Sequence, residues 1–221
     1  SMEARTAYQS AAAHSTSYYG QLARAKLGLP QIEINRAPGS GLRGIERFEI
    51  VRAVQLLYAL NERDLAIPIL ADMGDNAEAD VLAGLAEAAS RNNDARGMLL
   101  LGKAAVNRGL PFDVYAFPST GLPHYRPIGP EVDPSVVFAI ARQESGFNPK
   151  VVSPAQAYGL MQVTPSAAKY VTRKYGATYD LGRLKNDSVY NTTLGAAELG
   201  GLLEDYRGSY IMSFAAYNAG R

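Results

Sequence analysis

A proline-rich segment between residues 117 and 134 most constrains how this chain can fold. Its sequence, FPSTGLPHYRPIGPEVDP, contains five prolines in eighteen residues. Proline lacks the backbone N–H that a helix needs and fixes φ, so such a segment is extended and cannot continue a helix. We therefore predict a helical array domain over 1–116, a proline-rich linker over 117–133 and a second domain over 134–221.

Composition favours a folded globular protein and excludes several kinds of site. Hydrophobic residues make up 47% of the chain and charged residues 19%, as in ordinary globular domains. The formal net charge of +1 provides no basic field for nucleic acid. Cysteine is absent and only two histidines occur, His14 and His124, so we expect no metal and no cofactor. No apolar run approaches the roughly 18 residues of a membrane span.

The first half predicts an all-α, antiparallel array of helices, such as the end of an α-solenoid. Ala, Leu, Arg and Glu dominate it, and Gly74, the Asn92-Asn93 pair and Gly109 are interpreted as stops and turns. The strongest helix has Ile50, Ala53, Val54, Leu57 and Leu60 on one apolar face. The predicted helices span 4–13, 17–27, 45–60, 64–73, 77–90 and 94–108.

Capping signals predict the helices of the second half. Asp133-Pro134, Thr164-Pro165 and Asp187 each place a capping side chain just before a helical run. They predict one helix from Pro134 to a stop at Gly146, and others over 165–175 and 188–203. A further helix is predicted over 209–217.

Glu144 is the candidate catalytic acid. It falls in the last turn of the helix that begins at Pro134, near the negative end of the helix dipole, where a carboxylate is disfavoured. Partial burial has to raise its pKa further if it is to be protonated at neutral pH. Taken alone, the position is also explained by a solvated glutamate at a helix end.

An ordered set of motifs runs through the second half. The motifs are ESGFNP at 144–149, SPA at 153–155, GLMQ at 159–162, Pro165, LGAA at 194–197 after Asn191, and AYNAG at 216–220. Together they resemble the catalytic domain of the soluble lytic murein transglycosylases over about 133–221. More loosely, SYYGQLA at 17–23 is similar to the helical region that precedes this domain in the large periplasmic members.

The resemblance implies a lysozyme-like α-helical domain that acts on peptidoglycan in the periplasm. Such a domain cleaves the β-1,4 bond between N-acetylmuramic acid and N-acetylglucosamine and leaves 1,6-anhydromuramoyl ends. Glu144 would serve as general acid and then as general base, because the sugar's own 6-hydroxyl replaces water. Ser153 would orient Glu144 or contact the sugar, while Gln162, Tyr217 and Asn218 would line the glycan groove. The expected partners are glycan strands; protein partners are unknown.

The chain departs from the family pattern at two positions and at its end. Gln156 stands where the family commonly has Gly, which we expect to favour φ below zero and alter the loop. Thr164 stands where Met is common, which removes an apolar groove contact. The family's domain continues past AYNAG, so we expect this domain to be truncated at its C-terminal end.

Two other functions are compatible with the sequence. A lysozyme-like hydrolase would use water and normally needs two carboxylates. The acids that follow Glu144 lie in no motif resembling a second catalytic carboxylate; they are Asp180, Asp187, Glu198, Glu204 and Asp205. A catalytically silent peptidoglycan-binding or scaffold protein would bind glycan strands without cleaving them.

Overall fold

The computed structural model describes residues 2–30, 32, 34, 44 and 47–220. The chain forms two compact units, Ser1–Pro118 and Ser119–Arg221, divided within the proline-rich segment. The described residues form helices, with isolated β-bridges between Val152, Tyr158 and Val163 as their only extended pairing. The predicted all-α fold class is confirmed.

The first unit is an array of helices with a core between α3, α4, α5 and α6. Val51, Val54, Leu70, Leu85 and Leu101 are fully buried there. The seven helices described in this unit are α1 (Met2–Ala12), α2 (Tyr18–Leu27), α3 (Glu49–Ala59), α4 (Arg63–Asn76), α5 (Ala79–Arg91), α6 (Ala95–Asn107) and α7 (Asp113–Ala116). The short helix α7 was not predicted, and the first two residues of the helix predicted over 45–60 lie outside the described part.

A buried hydrogen-bond network joins α3 to the start of α6. Asp94 caps α6 by accepting from the Gly97 backbone N–H at 3.1 Å, and the Tyr58 hydroxyl donates to its other oxygen at 2.8 Å. Burial, followed by the negative charge of Asp94, raises the pKa of Tyr58 far above its ordinary value. The phenol therefore stays protonated and keeps donating.

Packing corrects two predictions for this unit. The apolar face of α3 is centred on Val51, Val54 and Tyr58, whereas Ala53 is exposed and Leu60, just after the helix, is 70% exposed. Gly74 was interpreted as a stop, yet α4 continues through it to Asn76. A Cβ at Gly74 would lie 2.9 Å from the Ala104 Cβ. Glycine is therefore used for close helix approach at this position.

The second unit is arranged around α11, whose buried residues extend along most of its length. Helices α9, α10 and α12 contact it. The five helices described here are α8 (Pro134–Glu144), α9 (Pro165–Tyr175), α10 (Leu181–Asn186), α11 (Ser188–Asp205) and α12 (Tyr210–Ala219). Helix α10, capped by Asp180, was not predicted. The predicted bounds hold for α9, and α11 and α12 each extend two residues further than expected.

The predicted caps are confirmed at atomic detail. Asp133 accepts from the Ser135 N–H at 2.8 Å, Thr164 from the Ala167 N–H at 3.2 Å, and Asp187 from the Tyr190 N–H at 3.0 Å. Because each cap satisfies a backbone donor that has no partner within the helix, it fixes where the helix begins. Helices α8, α9 and α11 start directly after these caps.

Candidate active site

Glu144 is the last residue of α8 and is half-buried. Gly146 and Phe147 follow with φ values of 56° and 62°, so the chain turns sharply just after the carboxylate. Burial raises the pKa of Glu144. Within the described part of the chain, no salt bridge or side-chain hydrogen bond engages its carboxylate. A raised pKa favours the protonated form, which is the form that a general acid needs.

Ser153 opens a tight turn in the loop after α8. Its hydroxyl accepts from the Ala157 N–H at 3.1 Å, and its own N–H donates to the Ala157 carbonyl at 3.0 Å. Among the described residues, no hydrogen bond joins Ser153 to Glu144. Ser153 therefore shapes the loop here and keeps its hydroxyl proton for another acceptor.

Gln156 lies in the same turn with φ at 57°. The expectation that it favours φ below zero is wrong for this loop. Its N–H donates to the Ser153 carbonyl at 2.9 Å, inside the pair of bonds between Ser153 and Ala157. These bonds hold the backbone in the left-handed region, where a non-glycine residue costs about 1–2 kcal/mol.

Gln162 closes the GLMQ turn, also with positive φ, at 50°. Its side-chain Nε2 donates to the carbonyls of Val151 and Gly159 at 3.2 and 3.0 Å. Gln162 therefore ties two parts of the loop together. Its amide nitrogen is committed to the loop, and its carbonyl oxygen is the atom that can accept from a ligand.

Asn191 anchors the same turn to α11. Its side chain is 1% exposed; Oδ1 accepts from the Met161 N–H at 3.0 Å, and Nδ2 donates to the Tyr158 carbonyl at 2.7 Å. A Cβ at Gly159 would lie 2.8 Å from this amide. Glycine is thus required where the turn passes over Asn191, and the amide fixes the turn that carries Gln162.

Tyr217 lies in the last turn of α12, and its hydroxyl donates to the Met161 carbonyl at 2.7 Å. A Cβ at Gly195 would come within 2.4 Å of the Met161 Cβ and 3.1 Å of this hydroxyl, so α11 makes room for both. The pKa of Tyr217 lies well above its ordinary value, because of burial first and then the negative charges of Glu198 and Glu144. Both carboxylates therefore lie near one phenol.

Gln162, Tyr217 and Asn218 line one cleft of about 430 Å³. Asn218 is exposed there. The structure therefore brings together three of the five predicted site residues in this cleft. Glu144 and Ser153 are not among the lining residues, and Glu144 acts on the cleft through its charge near Tyr217. Among the described residues, no group of three His, Asp or Glu side chains is arranged to hold a metal ion.

A family model matches most of the second unit. Residues 128–221 match the model described as Transglycosylase SLT domain. The match confirms the resemblance drawn from the motifs.

Named relatives match about two fifths of the chain. A soluble lytic murein transglycosylase from Escherichia coli K12 is 39% identical over 93 residues, which is 42% of this chain and 14% of that protein. A putative one from Haemophilus influenzae is 39% identical over 89 residues, 40% of this chain and 15% of that protein.

Solved structures align along nearly the whole chain. The 70-kDa soluble lytic transglycosylase of Escherichia coli superposes with a TM-score of 0.73 and 26% identity over 99% of this chain and 36% of its own. A complex of the 70-kDa soluble lytic transglycosylase with bulgecin A gives a TM-score of 0.72 and 25% identity over 100% of this chain and 36% of its own. This chain thus spans about a third of those proteins. No described helix combines the length and apolarity that crossing a membrane requires.

One residue of the cleft lined by Gln162, Tyr217 and Asn218 was not predicted from the sequence. Glu198 was noted only as an acid outside any motif, yet it lines the cleft with Gln162 and Tyr217. It lies three residues after Gly195 on α11, and residues at i and i+3 share a helix face. Because Gly195 already stands in the LGAA motif, this spacing is the signal that could have revealed Glu198.

Proposed function

We propose that the chain is a lytic murein transglycosylase unit that cleaves the β-1,4 bond between N-acetylmuramic acid and N-acetylglucosamine. The observation that carries the proposal is Glu144: an acid at a helix end, half-buried, whose pKa is raised by that burial. A raised pKa suits a general acid, because the proton is retained until the leaving oxygen accepts it.

Glu144 first protonates the glycosidic oxygen as its bond to the muramic acid C1 breaks. The resulting oxocarbenium-like centre is stabilised by the acetamido group of the same sugar, as in substrate-assisted glycosidases. Glu144, now a carboxylate, then takes the proton from the 6-hydroxyl while that oxygen bonds to C1. The acid is regenerated, no water is consumed, and the product carries a 1,6-anhydro ring.

The loop and α12 position the sugar around this acid. Gln162 offers its carbonyl oxygen to a hydroxyl or an amide N–H, and the Tyr217 ring and Asn218 form the walls of the cleft. Ser153, whose hydroxyl proton is available beside its bond from Ala157, contacts the sugar or orients Glu144 on binding. These roles follow the motif positions of the family.

The substrate and location follow the relatives' names. They are soluble lytic murein transglycosylases, so we assign peptidoglycan strands as substrate. The periplasm is assigned as the location of the whole protein from the family resemblance of the motifs. The helices before residue 117 would form a separate array domain, joined by the linker over 117–133 to the catalytic domain.

Mass spectrometry of digested peptidoglycan tests the proposal. We expect muropeptides with anhydro ends, each lighter by one water than the hydrolytic product. Reducing ends alone would reject the transglycosylase and support a hydrolase. That second candidate has one observation in its favour, since the Glu198 carboxylate lies near Tyr217 together with Glu144.

A further inference from the structure

Glu198 projects from the middle of α11, the most buried helix of the second unit, and is itself half-buried. Its neighbour one turn earlier is Gly195, which lies against Met161 and the Tyr217 hydroxyl. A rigid helix thus carries the carboxylate beside the other elements that line the cleft, which are the GLMQ turn, α9 and the end of α12. A residue held on a packed helix keeps its position better than one on a loop.

The cleft walls have a definite chemistry. Gln162 and Asn218 contribute amides, Thr164 and Ser166 contribute hydroxyls that bond to each other at 3.0 Å, and aromatic side chains supply flat faces. Of the described lining residues, Glu198 alone carries a carboxylate. An anionic acceptor binds a donor about twice as strongly as a neutral one. A cleft built this way favours a polar ligand that presents a donor to Glu198.

The charge of Glu198 acts at the cleft. The negative charge of Glu198 raises the pKa of Tyr217 more than the negative charge of Glu144 does. The Tyr217 hydroxyl is already committed to the Met161 carbonyl at 2.7 Å. Tyr217 therefore presents its ring to the cleft and leaves polar recognition on this side to Glu198 and the two amides.

We propose that Glu198 is a specificity-determining residue that accepts a hydrogen bond from a donor group of the bound glycan strand, in a cleft beside Glu144. The donor is a sugar hydroxyl, an acetamido N–H or an ammonium group on the peptide stem. Glu198 selects and places the strand; proton transfer stays with Glu144. The inference rests on the proposed function for the identity of the strand, but binding can be measured without cleavage.

Calorimetric titration of the full chain with Glu144→Gln, which blocks turnover, provides the test. Three ligands are used: a peptide-free oligosaccharide of N-acetylglucosamine and N-acetylmuramic acid, a muropeptide with a free amine, and that muropeptide after N-acetylation. Glu198→Gln and Glu198→Ala are each added to this background. We expect Kd to rise about tenfold for Glu198→Gln. If that variant folds poorly, Glu198→Ala should show the same loss of affinity.

Glu204→Gln is the matched control, because Glu204 lies exposed on the same helix and outside the cleft. Its Kd should stay within twofold of the parent. A higher Kd for the peptide-free sugar assigns the donor to the glycan. A higher Kd only for the muropeptide with a free amine assigns the donor to the peptide stem.

An unchanged Kd for all three ligands, or no binding by the parent chain, would overturn the inference. Failure of the wild-type chain to cleave peptidoglycan, with these binding effects intact, would instead count against the proposed function.

Discussion

Replacing Asn191 with leucine should destabilise the second unit and loosen the turn that carries Gln162. Leucine has nearly the same shape as asparagine, so the buried volume stays filled and no cavity opens. What is lost is three hydrogen bonds of the asparagine amide: Oδ1 accepts from the Met161 N–H, and Nδ2 donates to the carbonyls of Tyr158 and Leu184.

The expected cost follows from the partners left behind. The Tyr158 carbonyl still accepts from the Val163 N–H at 3.1 Å, so its loss is a net hydrogen bond of about 0.5–1.5 kcal/mol. The Met161 N–H becomes a buried donor without an acceptor, which costs about 1–3 kcal/mol. The Leu184 carbonyl loses a further hydrogen bond of about 0.5–1.5 kcal/mol. The free energy of unfolding should therefore fall by about 2–6 kcal/mol.

Hydrogen exchange of the α11 amides measures this directly, because those amides exchange through unfolding of the unit. Asn186→Leu is the control: Asn186 is exposed on α10 and bonds only to the Gly182 carbonyl of its own helix. The control should change stability by less than about 0.5 kcal/mol. An Asn191→Leu value as small as the control would refute the anchoring role of the amide.

Three further substitutions test other parts of the site. Gln156→Gly should stabilise by about 0.5–1 kcal/mol in urea unfolding, since relief of the left-handed cost exceeds the added entropy of glycine; a loss of stability would contradict the observed φ. Gly195→Ala should destabilise by about 1–3 kcal/mol in the same assay, because its methyl meets Met161; a neutral effect would contradict the packing. Burial raises the pKa of Glu144, so its charged form opposes folding above that pKa and its neutral form does not. Glu144→Gln should therefore raise Tm at pH 7, and the gain should vanish below about pH 4, where glutamate is protonated in both states; a gain that persists at pH 3 would contradict this origin.

The helix starts of the second half were predictable because their signals are local. Asp133, Thr164 and Asp187 bond to N–H groups two or three residues away, and a cap of this kind depends little on the rest of the fold. The same local signal preceded α10 at Asp180, but a six-residue helix carries too little periodicity to be recognised.

Features that depend on tertiary contacts could not be predicted from the sequence. Gly74 was indistinguishable from a helix stop until Ala104 was placed against it. The buried face of α3 includes Tyr58 because the Tyr58 hydroxyl donates to Asp94, thirty-six residues further along the chain. Likewise, the loop bonds of Ser153 and Ala157 determine the conformation of Gln156, overriding the preference of glutamine for negative φ.

The candidate site was partly visible in the sequence. Motif order selected Glu144, Gln162, Tyr217 and Asn218, and three of them line one cleft. Glu198 was missed because its place depends on how α11 and α12 pack, which brings Tyr217 to Gly195. A motif records residue types along the chain, whereas the cleft is formed by residues from the GLMQ turn, α9, α11 and α12.

The central claim is that Glu144 alone transfers the protons of the cleavage reaction, and one comparison tests it most directly. Release of soluble fragments from purified peptidoglycan is measured for the wild-type chain, Glu144→Gln and Glu204→Gln, with strand binding recorded in parallel. Glu204 also lies in the last turn of a helix but is exposed, so it controls for a lost helix-end charge. We expect Glu144→Gln to bind strands yet lose cleavage by at least about a hundredfold, while Glu204→Gln cleaves normally. Undiminished cleavage by Glu144→Gln would contradict the central claim.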